Sequence, residues 1–294
     1  MDDVIRCHAA RVRAADPLVA GQDELAETGA ELIEAPGAAG LATLDRIDPD
    51  SMRAAWSPLI VHRLQARVCG TDPETALGEL LDRWMAGVPV DEPGQAMAVI
   101  WPSRDTASVR ALAVRGFAPI AAAGVRRLRE RTVAAPAVRL AGEGDLEALA
   151  RMYERLVAFD AQFGWVAMRA STPARIREFL AGEMLPLEWC WIAEVGGEPV
   201  GCVIVQPPDR AAWMARAVNG GPVAYLSAMY VEPHVRGQGV GAALTEVAHS
   251  HAAAQGATWM TLHHALPNPL STPFWARQGY RPLFTQWVRH LSRL

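Results

Sequence analysis

An internal similarity at one gap-free offset of 163 residues constrains the fold of this chain more than any other feature. Gly116, Phe117, Pro119, Val125 and Arg126, in the run GFAPIAAAGVR, correspond to Gly279, Tyr280, Pro282, Val288 and Arg289 in GYRPLFTQWVR. The same offset pairs Ala113 with Ala276, Ser108 with Ser271, Asp105 with Asn268 and Val68 with Val231. A period this long is domain-sized rather than solenoid-like, and 294 residues suffice for two units of roughly 150 each. The Pro- and Ala-containing stretch RERTVAAPA, around residues 129–137, falls between the copies and reads as a linker.

The second copy carries the clearer pattern. Val138 to Ala141 reads as a strand. Asp145 stands as the cap of a helical run through Leu146, Leu149, Met152, Tyr153 and Leu156. A second helix is predicted over Pro173–Gly182. CWIAEVGGEPVGCVIVQ reads as two β runs joined at Gly196-Gly197. AYLSAMYV is a further strand, followed by RGQGVG, a helix with Leu244, Val247, Ala248 and Ala252 on one face, the strand TWMTLHHA, a short helix near Thr272–Gln278 and strands through His290. The expected class is α/β, with an α+β mixed sheet flanked by helices.

Composition removes several chemistries. All 28 basic residues are arginine, so lysine Schiff bases, a Walker A loop and the protein-kinase strand lysine are excluded. Against 32 acidic residues, those 28 arginines leave a net charge of −4, which gives no basic excess for nucleic acid. Cys7, Cys69, Cys190 and Cys202 form no CxxC pair and read as reduced core thiols, with no metal site expected. The start MDDVIRCHAA lacks the order of a signal peptide, and no long apolar run offers a membrane span. A cytoplasmic protein with no membrane partner is expected.

Arg236, Gly237, Gln238, Gly239, Val240 and Gly241 lie between a strand end and a helix start. Glycines there let backbone N–H groups approach a phosphate, and the helix end adds partial positive charge, so a pyrophosphate can be held without lysine. A plain Gly-rich turn is the competing reading of a Gly triplet taken alone. Gly237, Gly239 and Ala242 also satisfy a dinucleotide fingerprint, but that expects an acid about 20 positions on, and no Asp or Glu follows Glu246.

The order YVEPHVRGQGVGAAL resembles the acetyl-CoA pyrophosphate loop of the GNAT superfamily of acetyltransferases, with Arg236, Gly239 and Gly241 at the signature positions. Asn268 and the run FWARQGY resemble that superfamily's fourth segment. The resemblance implies two tandem GNAT-like domains: a degenerate copy over 1–130 and an acetyl-CoA-binding copy over 138–294. It further implies that Met229, Tyr230 and Val231 hold the pantetheine arm through backbone groups on a bulged, splayed strand, with an N–H there stabilising the oxyanion. Arg236 to Gly241 and Asn268 complete the cofactor-binding set.

Tyr225 and Ser227, read on the same strand face as Met229 and Val231, are candidates to touch the pantetheine arm or the acceptor. The superfamily's usual acidic Tyr position is occupied by Trp275, an acceptor-lining candidate whose indole cannot serve as an acid. Ser271 then stands as the substitute acid, with Tyr280 and solvent as alternatives. With no carboxylate after Glu246, the base on the last strand is His263 or His264; His263 occupies the place of a Glu in related enzymes and is the candidate base, with Glu188, Glu232 and Asp160 as alternatives from elsewhere. In the first copy the same offset lands the loop on Pro73–Gly78, where Thr71 and Glu74 fit a capping box and Asp72 and Glu74 would repel a pyrophosphate. The expected function is acetyl-CoA-dependent N-acetylation of a small-molecule or peptide amine. A non-catalytic acyl-CoA-binding or protein-interaction module is the alternative, and neither acceptor identity nor oligomeric state is legible.

Overall fold

A computed structural model describes residues 1–90, 92–129 and 137–291. The first half runs α1 (Asp2–Ala15), β1 (Glu31–Ala35), β2 (Ala38–Arg46), a 3-10 turn at Met52–Trp56, β3 (Ile60–Val68), α2 (Pro73–Gly87), β4 (Gln95–Pro102), α3 (Val109–Ala113) and β5 (Ala118–Arg127). The second half opens with β6 (Val138–Leu140), α4 (Leu146–Asp160), α5 (Thr172–Phe179), a π turn at Leu180–Met184, α6 (Leu185–Leu187), β7 (Trp189–Val195) and β8 (Glu198–Gln206). It continues with α7 (Ala212–Ala215), β9 (Val223–Val231), α8 (Val240–Ala254), β10 (Trp259–Ala265), α9 (Ser271–Arg277) and β11 (Arg281–His290).

The repeat offset is visible in the elements: β3 and β9 start and end 163 residues apart, and so do β5 and β11. Gly116 and Gly279, which follow α3 and α9, both adopt φ of 81°, the left-handed conformation that glycine enters without penalty. The two halves do not form separate sheets, however. The strands make one eleven-stranded mixed sheet in the order β1-β2-β3-β4-β11-β5-β10-β9-β8-β7-β6. Each half's final strand has crossed into the other: β11 pairs with β4 and β5, and β5 pairs with β11 and β10. Reciprocal hydrogen bonds pin the exchange, Arg126 Nη1 donating to the Gln278 carbonyl at 2.6 Å and Arg289 Nη1 to the Arg115 carbonyl at 3.2 Å. The expected mixed sheet flanked by helices is present, as one sheet shared by both halves. Local alternation specifies a strand but not which copy of its neighbour it joins.

Four local expectations change. Helix α2 is capped by Asp72, which accepts from the Thr75 amide at 3.0 Å, rather than by a Thr71–Glu74 box. Asp145 does not cap α4 with its side chain. It reaches back to the Gly142 amide and pairs with Arg139. The helix expected over 173–182 leaves α geometry after Phe179. Cys7 and Cys69 are joined in a disulfide, not free thiols. They lie 62 residues apart in sequence, but α1 packs across β3 and brings their Cα atoms to 5.4 Å, within bridging range. Cys190 and Cys202 remain free and buried. Most of the linker expected over 129–137 lies outside the described residues.

Candidate active site

The site begins as a fault in the sheet. Strands β9 and β10 run parallel, pairing from Val223–Trp259 to Leu226–Leu262, and pairing stops there. On its other edge β9 pairs with β8, and the register slips so that Ile204 faces Ala228 while Val205 faces Leu226. Ser227 is the extra residue of this bulge. Packing bears it out: Ala224 and Leu226 join the core beneath α8, Met229 and Val231 pack on that same core, and Ala228 and Tyr230 lie on the opposite face under α4. Side chains alternate, so two residues three apart share a face only across an insertion. Tyr225 consequently lies on the face opposite Met229 and Val231, which corrects the expectation that they share one.

The bulge and splay expose backbone. Glu232 N–H donates to the Val200 carbonyl at 2.8 Å. Alternation along an antiparallel ladder then turns the Tyr230 and Ala228 amides toward β8 and those of Met229 and Val231 toward the open side. No strand covers that side beyond Leu226. A cavity of about 520 Å³ opens there, lined by Met229, Tyr230 and Val231, by Arg236, Gly237, Gly239 and Gly241, and by Asp160, His263, Asn268, Ser271 and Trp275, among others.

The loop between β9 and α8 leaves backbone amides open beside the cavity. Gly237 and Gly239 adopt φ of 80° and 88°, where other residues are strained. A Cβ on Gly241 would come within 3.3 Å of Met229 and Phe274, so this turn sits close on the strand and on α9. Helix α8 has Gly239 at its N-cap and no side-chain cap, which leaves its first amides for a ligand. Arg236 donates from Nε to the Val231 carbonyl, and its guanidinium lies over the rings of Phe159 and Tyr230. Gln238 is exposed and turns to the His234 carbonyl, and Val240 packs on the core.

The first half lacks this device. β3 ends at Val68 and α2 begins at Pro73, whereas β9 ends at Val231 and α8 begins only at Val240. The counterpart of the glycine loop is therefore absent, and Pro73–Gly78 is not its equivalent. The start of α2 is closed by its own Asp72. The Val68 backbone is also engaged: its N–H donates to His8 Nδ1 at 3.3 Å and its carbonyl accepts from Arg11 Nη1 at 2.7 Å.

Among the titratable groups, His263 lies just beyond the last β9–β10 pair. Its Nδ1 sits 3.1 Å from the Tyr225 hydroxyl, and its ring stacks parallel to the half-exposed Trp213. Its ring is open to solvent at the cavity, yet the surrounding protein atoms, with a smaller contribution from His264, lower its pKa to about 4. It is an uncharged but weaker base than its ordinary value suggests. Ser271 lines the cavity, and its Oγ is buried without a hydrogen-bond partner among the described residues. The Tyr280 hydroxyl is hydrogen-bonded with His249 Nε2 at 2.7 Å inside the core, away from the cavity. Trp275 is buried edge-on against Tyr280, its ring packed in the core as well as lining the cavity. Asn268 accepts from the Leu270 and Ser271 amides, starting α9, and donates to Asp160 Oδ1 at 3.0 Å. Its polar atoms thus shape the cavity wall. Glu188 is buried, accepts from Ser227 and Gln206, and has its pKa raised by that burial.

Asp160 stands out on the wall. Burial raises its pKa to about 6, with the Asn268 hydrogen bond opposing. At pH 7 it is ionised at a cost to the fold, and that cost disappears as pH falls through the folded value toward the unfolded one near 3.8. Asp160→Asn is therefore expected to raise the Tm at pH 7, with the gain shrinking toward pH 4 in a thermal melt series. Phe159 and Trp56, which line the same cavity, went unrecognised in the sequence. Trp56 comes from the first half, and no local pattern links it to a site formed across the molecule.

Comparison with known proteins follows this geometry. Residues 160–280 match the acetyltransferase (GNAT) family. No curated protein matches the chain. Among solved structures, a GCN5-related N-acetyltransferase from Sphaerobacter thermophilus is similar, at 14% identity and a TM-score of 0.61, over 99% of this chain and 92% of that one. A GCN5-related N-acetyltransferase from Kribbella flavida aligns over 98% of this chain and 95% of its own at 13% identity, with a TM-score of 0.45. The bulged and splayed strand, the uncapped glycine loop and the family match coincide in the second half: the chain is an acyltransferase whose residues 160–280 form a GNAT acetyltransferase domain.

Proposed function

We propose that the chain transfers the acetyl group of acetyl-CoA directly to the amine of a small molecule or peptide, using a single donor site in the second half. The supporting observation is one continuous cavity that joins the glycine loop at the start of α8 to the unpaired edge of β9. Acetyl-CoA supplies an activated acyl group as a thioester. The amides of Gly237 to Gly241 hold the pyrophosphate, with Arg236 beside them. The Met229 and Val231 backbone directs the pantetheine arm, and an amide on this edge stabilises charge developing on the thioester oxygen.

His263, His264 and Asp160 are the bases lining the cavity among the described residues, and they are the candidates to accept the proton an amine must lose. The first half, over 1–130, is a degenerate copy without a donor loop, and residues 138–294 carry the donor site. No metal is required by this scheme. The test is to incubate the protein with acetyl-CoA and an amine panel while following free thiol. Acceptor-dependent release supports the reading, whereas thermal stabilisation by acetyl-CoA without turnover across a broad panel favours a non-catalytic binding module.

A further inference from the structure

Asp160 is the one acidic residue lining the cavity among the described residues. Its Oδ1 is held by Asn268, and among the described residues no ion pair reaches either oxygen. Two arginines line the cavity: Arg236 is committed to the Val231 carbonyl and the faces of Phe159 and Tyr230, and Arg277, in the last turn of α9, forms no ion pair with Asp160; Arg155 pairs with Glu232. Asp160 is also the last residue of α4, where unsatisfied carbonyls add negative potential and a carboxylate is disfavoured unless a cation joins it. Asp160 therefore carries a charge with no ion-pair partner among the described residues.

The first half supplies that complement from within. Helix α1 packs across β3 as α4 packs across β9. Asp105, the offset partner of Asn268, binds the Arg11 guanidinium at 2.8 Å, and the same guanidinium donates to the carbonyl of Val68, the offset partner of Val231. In the first half the Arg11 side chain thus brings a cation to both positions. In the second, the negative charge sits on the helix and no side-chain cation pairs with it among the described residues.

We infer that Asp160 anchors the ammonium of the acceptor, and that the acceptor is a primary alkylamine with an apolar or aromatic body lying on Phe159 and Trp56 and no carboxylate beside its nitrogen. A carboxylate there would stand against Asp160 and the α4 carbonyls. This rests on the reading that the acceptor occupies the same cavity as acetyl-CoA.

The test measures binding directly, by calorimetry with 2-phenylethylamine, hexylamine and phenylalanine, with and without CoA, on wild type and Asp160→Asn. Asparagine keeps the Asn268 hydrogen bond and removes the charge. Expected are amine binding to wild type, a loss of roughly tenfold or more in Asp160→Asn, similarly weak binding of phenylalanine to wild type, and unchanged CoA affinity in the variant. Equal amine affinity in both proteins, phenylalanine binding as well as the amines, or no amine binding to wild type would each overturn the inference. Absence of CoA binding in both proteins would sink the donor-site reading instead, while the CoA-free amine titrations still decide the role of Asp160.

Discussion

Gly239→Glu is expected to abolish acetyl-CoA binding and acyl transfer while leaving a folded protein. A Cβ at Gly239 meets nothing within 4 Å, so bulk is not the obstacle. The positive φ costs about 1–2 kcal/mol for an L-residue. Placing a carboxylate against a pyrophosphate adds several kcal/mol more, a loss of at least about 100-fold in affinity. Gly239→Ala separates the two effects, because it carries the strain without the charge and should lose about tenfold or less. Calorimetry with acetyl-CoA on the three proteins, alongside thermal melts, reads this out. Equal losses in the alanine and glutamate variants would mean that the loop acts through its shape and not as an anion cradle.

Residues 138–294 expressed alone are expected not to fold, and co-expression with residues 1–129 is expected to restore a soluble, acetyl-CoA-binding complex. Without the first half β11 loses both of its neighbours, β4 and β5, and β10 loses its β5 edge. Trp287 and Val288 of β11, both buried in the intact chain, would be uncovered. Exposed apolar strand edges of this kind drive aggregation. A cooperative thermal transition in monomeric 138–294 would contradict the exchange of final strands seen in the sheet.

These two expectations differ in how far the sequence anticipates them. The glycine loop is legible because its requirement is local: positive φ at Gly237 and Gly239 and an uncapped start to α8 need particular residues at consecutive positions. The offset relating Gly116 to Gly279 and Arg126 to Arg289 is legible too, and it recurs in the bounds of β3 with β9 and β5 with β11. The crossing of β5 and β11 is not, because related copies offer their neighbours similar edges and period-two alternation specifies a face rather than a partner.

The same limit hides the Cys7–Cys69 bridge and the Trp56 wall, both made by packing between distant segments. Ser227 illustrates an intermediate case. The resemblance implies a bulge, but nothing in AYLSAMYV marks which residue is extra, so alternation alone places Tyr225 on the wrong face. The lowered pKa of His263 and the raised pKa of Asp160 come from protein atoms packed around each group by distant segments, which residue spacing does not encode.

In the proposed donor site one molecule lies along the unpaired edge of β9 with its pyrophosphate at the start of α8. A crystal structure of the protein with CoA is expected to show a single CoA per chain, phosphate oxygens within hydrogen-bonding distance of the Gly237–Gly241 amides and pantetheine groups paired with the Met229 and Val231 backbone. CoA bound in the first half, beside Val68 and the start of α2, or bound away from β9 altogether, would contradict this placement.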